Sequence, residues 1–132
     1  MHRIVLVSIA GLAAVACSAE HPAGPTAAEQ AGLAQALAGR TAGPAVSCVS
    51  QRDIGGNESF GEGTILFHGR TGGTVYVNQP AGGCPLLTRN RAITYRTTSS
   101  QLCRGEIVTV LDPVSHVEFG SCALGDFTPY RR

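Results

Sequence analysis

The residues of this chain whose types and spacing could do chemistry are its cysteines, two of its four histidines and a run of arginines. Cys48, Cys84, Cys103 and Cys122 sit far apart, in the settings Val46-Ser47-Cys48-Val49, Gly82-Gly83-Cys84-Pro85, Leu102-Cys103-Arg104-Gly105-Glu106 and Ser121-Cys122-Ala123-Leu124-Gly125-Asp126. A structural zinc site usually supplies its thiolates in close pairs, and a redox-active dithiol needs the same closeness. No C-x-x-C or C-x-H pair occurs here. An even number of widely spaced cysteines is instead the pattern of a disulfide framework, which forms in an oxidising compartment.

His68 and His116 each lack a metal-ligand partner at strand or helix spacing, and are read as solvated residues at strand ends. General acid–base work needs a positioned partner, and the sequence presents none beside either one. There is no G-x-S-x-G elbow for a serine nucleophile. The glycine cluster Gly69-Arg70-Thr71-Gly72-Gly73 leads into a strand, whereas a phosphate-cradling loop leads into a helix. Asn57-Glu58-Ser59 fits a glycosylation sequon without implying use of it. No catalytic residue, metal or cofactor is assigned, and the expectation is a non-enzymatic protein.

Arg89, Arg91, Arg96 and Arg104 make the second half locally basic. Guanidinium forks suit carboxylates and phosphates, so these four are the candidate ligand-binding residues, directed at an anionic small ligand or envelope polymer. The competing reading is a solvated face paired with Glu106, Glu118 and Asp126, where each exposed pair contributes little. The whole chain has ten basic and nine acidic residues, all the basic ones arginine. That balance argues against a nucleic-acid binder working through bulk electrostatics.

Cys17 stands apart. Met1-His2-Arg3 is a basic n-region, Ile4 to Ala16 is an uncharged apolar h-region, and small residues precede Cys17. This predicts an export signal over residues 1–16, too short for a comfortable span. Leu12-Ala13-Ala14-Val15-Ala16-Cys17 resembles a bacterial lipobox, in which the cysteine is lipidated and becomes the new N-terminus. Lipidation of Cys17 would leave four cysteines for disulfides and would anchor the chain stably in a membrane. Ser18 resembles the sorting residue of outer-membrane lipoproteins facing the periplasm; cleavage without lipidation would give a soluble periplasmic protein.

The elements that must carry these residues are short. Residues 17–44 read as a tether rich in Ala, Gly and Pro, with a helix over Ala27 to Ala38 opened by the capping box Thr26-Ala27-Ala28-Glu29 and stopped at Gly39. The helix serves either as a spacer or as an element docked through Leu33 and Leu37. Residues 45–132 read as a β-domain with six strands: Val46 to Val49, Thr64 to His68, Thr74 to Asn78, Ala92 to Thr97, Glu106 to Leu111 and Val117 to Leu124. Ile65 and Phe67 share one face, Val75 and Val77 face the core, and Glu106 to Leu111 should be the strand most buried on both faces. Gly120 marks a bulge. The predicted fold is all-β, a small antiparallel barrel or sandwich held by two disulfides. Four cysteines permit three pairings. Joining Cys84 to Cys103 and Cys48 to Cys122 would fasten a loop to a turn and the first strand to the last.

Taken together, Cys48-Val49, Gly83-Cys84-Pro85, Leu102-Cys103-Arg104-Gly105-Glu106-Ile107 and Ser121-Cys122-Ala123-Leu124-Gly125-Asp126-Phe127 resemble a family of small exported proteins of alpha- and related proteobacteria, sphingomonads above all. There the cysteines follow a C…CP…LCxGD/E…CxLGxF order, and the likeness runs from Val46 to the C-terminus. The resemblance implies an exported protein with this four-cysteine framework and brings no catalytic residue with it. The function expected is therefore structural or interactive: an envelope protein attached to the membrane through its lipid, meeting an envelope protein or an anionic envelope component.

Overall fold

Alternating apolar residues in short runs, separated by glycine, proline and asparagine, leave little choice but strands joined by tight turns. The computed structural model describes residues 24–132. The export signal and Cys17 lie outside the described residues.

One helix comes first, α1 (Ala27–Leu37). Ten strands follow: β1 (Thr41–Ala42), β2 (Cys48–Ser50), β3 (Ile54–Ser59), β4 (Ile65–Gly69), β5 (Val75–Asn78), β6 (Ala92–Tyr95), β7 (Gln101–Cys103), β8 (Ile107–Leu111), β9 (Glu118–Ala123) and β10 (Phe127–Arg131). They form three antiparallel sheets, ordered β1-β10-β5-β4-β3, β6-β8-β9 and β2-β7. The all-β, two-disulfide architecture is as the sequence predicts, with ten strands in place of six. The additional ones arise where local signals are weak. β3 runs through Gly55-Gly56, outside the six strands that the sequence predicts, and carries a register irregularity between Ile54 and Asn57. β10 contains Pro129, a residue normally excluded from central strands. The Pro129 carbonyl bonds to Gly43 N at 2.7 Å, so its nitrogen faces the same side, just where β1 has ended. The missing donor forgoes only the return bond to Gly43, at the point where β1 ends.

A single core fills the space between the sheets. Ile65, Phe67 and Phe127 come from the five-stranded sheet, Ile93, Val108, Val110 and Cys122 from the three-stranded one, and Val49 and Leu102 from β2-β7. Phe67 and Phe127 pack with ring centroids 5.6 Å apart. A second apolar layer lies on the other face of the five-stranded sheet. There Phe60, Leu66, Val75 and Val77 are buried against Leu33, Ala36 and Leu37 of α1. Val75 and Val77 thus face the helix rather than the main core, because Leu66 and Val77 are register partners and point away from Ile65 and Phe67. The helix is docked, not a free spacer. Its capping box is complete: Thr26 Oγ1 accepts from Glu29 N at 3.2 Å, and Glu29 Oε2 accepts from Thr26 N at 2.8 Å. Gly39, at φ +70°, turns the chain out of the helix.

The sulfur pairing differs from the one favoured by sequence. Cys48 is joined to Cys103, and Cys84 to Cys122. β2 pairs with β7, not with the last strand, and this sets Cys48 directly opposite Cys103 with their Cα atoms 4.0 Å apart. Cys122 lies on the core face of β9 opposite Val108, where the loop before β6 brings Cys84 down. By the loop-entropy argument, closures of 55 and 38 residues stabilise by about 4 kcal/mol each. Two disulfides suit an oxidising, non-cytoplasmic environment. No helix among the described residues is long and apolar enough to cross a membrane.

β8 is central to its sheet but buried on one face only. Val108 and Val110 are fully buried, whereas Ile107 is 61% exposed. The sequence predicts burial on both faces; among the described residues no element covers the outer side of the three-stranded sheet, and that face carries a candidate site.

Candidate functional site

Strand alternation sorts the β6-β8-β9 sheet into two faces. Ile93, Val108, Val110 and Cys122 point inward. Thr94 and Thr109 pair across the outer face, as do Ala92 with Leu111, Leu111 with Glu118, and Ile107 with Ala123. Arg96, next after β6, continues the outward series. A groove of about 380 Å³ runs over this face, floored by Thr94, Ile107, Thr109 and Leu111 and bordered by Arg96, His116 and Glu118.

The border at the β8–β9 end is a built turn. The Asp112 carboxylate accepts from the backbone N–H groups of Val114 and Ser115, both at 2.8 Å. Asp112 N donates to Val117 O, and Asp112 O accepts from His116 N, each at 2.9 Å. Bonding to those backbone donors, Ser115 first, holds the Asp112 carboxyl below its ordinary pKa of 3.8. His116 takes the residue position of the turn that needs a positive φ, at +59°. Glycine fits that position better and histidine less well, and the residue found there puts an imidazole at the groove. Beyond the turn, the register shifts between Val110 and Leu111 on the β8 side, the bulge that Gly120 marks in the sequence.

Among the described residues, the side chains of Arg96, His116 and Glu118 make no ion pair and no hydrogen bond. They are the polar side chains of the groove without a partner among the described residues. Tyr95 sits beneath them, its ring packed on the core, and burial pushes its hydroxyl pKa up against the opposing pull of Arg70.

The four candidate arginines are not brought together as one site. Arg89 meets Glu58 at 3.7 Å and lies over the Phe60 ring. Arg91 bonds Leu86 O at 2.6 Å and stacks on Phe119, its guanidinium carbon 3.7 Å from the ring centroid. Arg104 pairs with Asp126 at 3.2 Å. Only Arg96 lines the groove. Of the acidic partners expected for a solvated face, Asp126 is paired with Arg104, and Glu106 turns back to accept from Cys103 N. His68 faces Glu58 at 3.6 Å on the five-stranded sheet, well away in the fold from His116.

The sequence marks Arg96 as a candidate but not its companions His116 and Glu118, which read there as a solvated residue and a surface-pair partner. The signal available was the turn Asp112-Pro113-Val114-Ser115: an Asp-Pro start predicts a tight connection, and so places residues 94, 109 and 118 across one narrow sheet. Two asparagines were also missed as structural residues, Asn57 and Asn78. Asparagine is unfavourable inside strands, which is itself a mark of a special role.

No family model, no curated protein and no solved structure matches this chain.

Proposed function

We propose that this chain is a non-enzymatic protein of the bacterial cell envelope, lipidated at Cys17 and held at the outer membrane facing the periplasm, which works by binding rather than by catalysis. The observation that carries the reading is the complete use of four cysteines in two disulfides, one of them inside the core. Such staples suit a small domain folding outside the cytoplasm, and the export signal and lipobox at the start of the sequence agree with that compartment. The likeness of the cysteine settings to the sphingomonad-type exported proteins supports the same placement. With its thiols oxidised, the domain presents charge and shape as its working surface.

A second reading, a module for an anionic small ligand or envelope polymer, is favoured by Arg96, whose guanidinium has no ion-pair partner among the described residues and lines the outer-face groove. Both readings share the export and anchoring steps, and those are tested together. Labelling cells with a palmitate analogue should mark the wild-type chain in the membrane fraction and leave Cys17→Ser unmarked. A labelled Cys17→Ser variant, or an unlabelled wild type, would contradict the anchor.

A further inference from the structure

The outer groove of the three-stranded sheet has opposite charges at its two ends. Arg96 extends the β6 edge beside Ile107, while Glu118 is the register partner of Leu111 at the far end of β8. From Ile107 to Leu111 is four residue rises, about 13 Å along an antiparallel strand, and because β6 and β9 flank β8 on opposite sides the backbone positions of Arg96 and Glu118 lie on a diagonal of about 16 Å. The floor between carries two hydroxyls, Thr94 and Thr109, which face each other across β6 and β8. Neither Arg96 nor Glu118 has an ion-pair partner among the described residues.

We infer that this groove binds a short extended peptide with free ends, about four residues long, its C-terminal carboxylate at Arg96 and its N-terminal ammonium at Glu118. The inference rests on the reading of the chain as a binding protein and names the class of ligand. Length, charge and floor all fit that occupant. An extended tetrapeptide spans about 13 Å, and the length of the arginine side chain covers the rest of the diagonal. The guanidinium accepts a carboxylate through two parallel hydrogen bonds, and the carboxylate of Glu118 takes an ammonium. The Thr94 and Thr109 hydroxyls can bond to the peptide backbone, and Ile107 and Leu111 offer apolar contact to its side chains. A volume of about 380 Å³ lies at the small end of ligand sites. A glycan is the poorer fit, since Phe119 is covered by the Arg91 guanidinium and Tyr95, which lines the groove, has its ring partly buried against the core and offers no open stacking face.

The test is a titration of the ¹⁵N-labelled full chain, both disulfides intact, with tetra-alanine bearing free termini. Saturable shifts at the amides of Thr94, Thr109, Leu111 and Glu118 are expected. Amidating the peptide C-terminus, or replacing Arg96 by glutamine, should each weaken binding roughly tenfold, the scale of one lost charge-assisted bond. The two changes together should weaken it no further, because they remove the same contact. Arg96 is exposed, so the variant keeps the fold. No saturable shift at these amides, equal affinity for end-blocked peptide, or binding of an N-acetylglucosamine oligomer there in preference to the peptide would each overturn the inference. The titration is done on purified protein, so its outcome is independent of whether Cys17 is lipidated in cells.

Discussion

The side-chain amide of Asn78 pairs with the backbone of Gly125 as another strand would: Nδ2 donates to Gly125 O at 2.8 Å, and Gly125 N donates to Oδ1 at 2.9 Å. Asn78 ends β5 and is completely buried, and Gly125 lies in the turn between β9 and β10. Asn57 does the same for β6, with Nδ2 and Oδ1 each 3.4 Å from the backbone oxygen and nitrogen of Ile93. These two amides complete backbone bonding where the five-stranded sheet meets its neighbours. They are how three short sheets enclose one core without a continuous ladder.

Replacing Asn78 by alanine removes two hydrogen bonds and strands the Gly125 groups. The expected loss is about 2–4 kcal/mol, read as a lower midpoint in urea denaturation. Gly125→Ala should cost a comparable amount, since an added Cβ runs into the backbone carbonyl of Gln79.

The two disulfides should differ in their resistance to reduction. Cys48 and Cys103 are half-buried on the two-stranded sheet, whereas Cys84 is fully buried and Cys122 nearly so. A thiolate must reach the sulfur it attacks. Under mild dithiothreitol without denaturant, alkylation should mark Cys48 and Cys103 first. Labelling of Cys84 and Cys122 should require global unfolding, and early labelling of that pair would count against the core placement.

Much of this architecture is legible in the sequence, and what is not has a physical cause. The capping box at Thr26 and Glu29, the Gly69 to Gly73 hairpin and the bulge at Gly120 are local, so residue type alone reveals them. The pairing of Cys48 with Cys103 is not local: it depends on β2 meeting β7 across 55 residues, a contact no spacing rule encodes. Pro129 hid β10 because a proline reads as a break unless its nitrogen is known to face an ended strand. At the groove, Arg96 was visible as a candidate by its charge. Its isolation from Arg89, Arg91 and Arg104 was not, because partners across the fold decide which arginines are neutralised.

The docked helix predicts a third effect. Leu33 and Leu37 are partly buried over Val75 and Val77, so Leu33→Ala and Leu37→Ala should each destabilise by about 1–2 kcal/mol, below the range for a fully buried leucine. Leu37→Asp should in addition raise binding of a hydrophobic dye. A thermal midpoint unmoved by both alanine variants would make the helix a mere spacer.

Acid and alkali should each act on one named group. The folded-state pKa of Asp112 is depressed, so the stability it confers is present above its ordinary value of 3.8 and is lost as pH falls through the lower folded value. NMR titration should place its carboxyl below 3.8, and Asp112→Asn should remove that acid-range loss. Tyr95 behaves oppositely. Its folded pKa is raised by burial, so its contribution is complete below 10 and declines as pH rises from there through the higher folded value. Tyr95→Phe should abolish that alkaline decline.

The most direct test of the central claim, an exported domain whose four distal cysteines are all structural, is peptide mapping under denaturing, non-reducing alkylation of the protein recovered from the cell envelope. The account predicts two linked peptide pairs, Cys48 with Cys103 and Cys84 with Cys122, and no alkylated thiol at any of the four positions. Free thiols at two or more of these positions, or links joining Cys48 to Cys122 and Cys84 to Cys103, would contradict it.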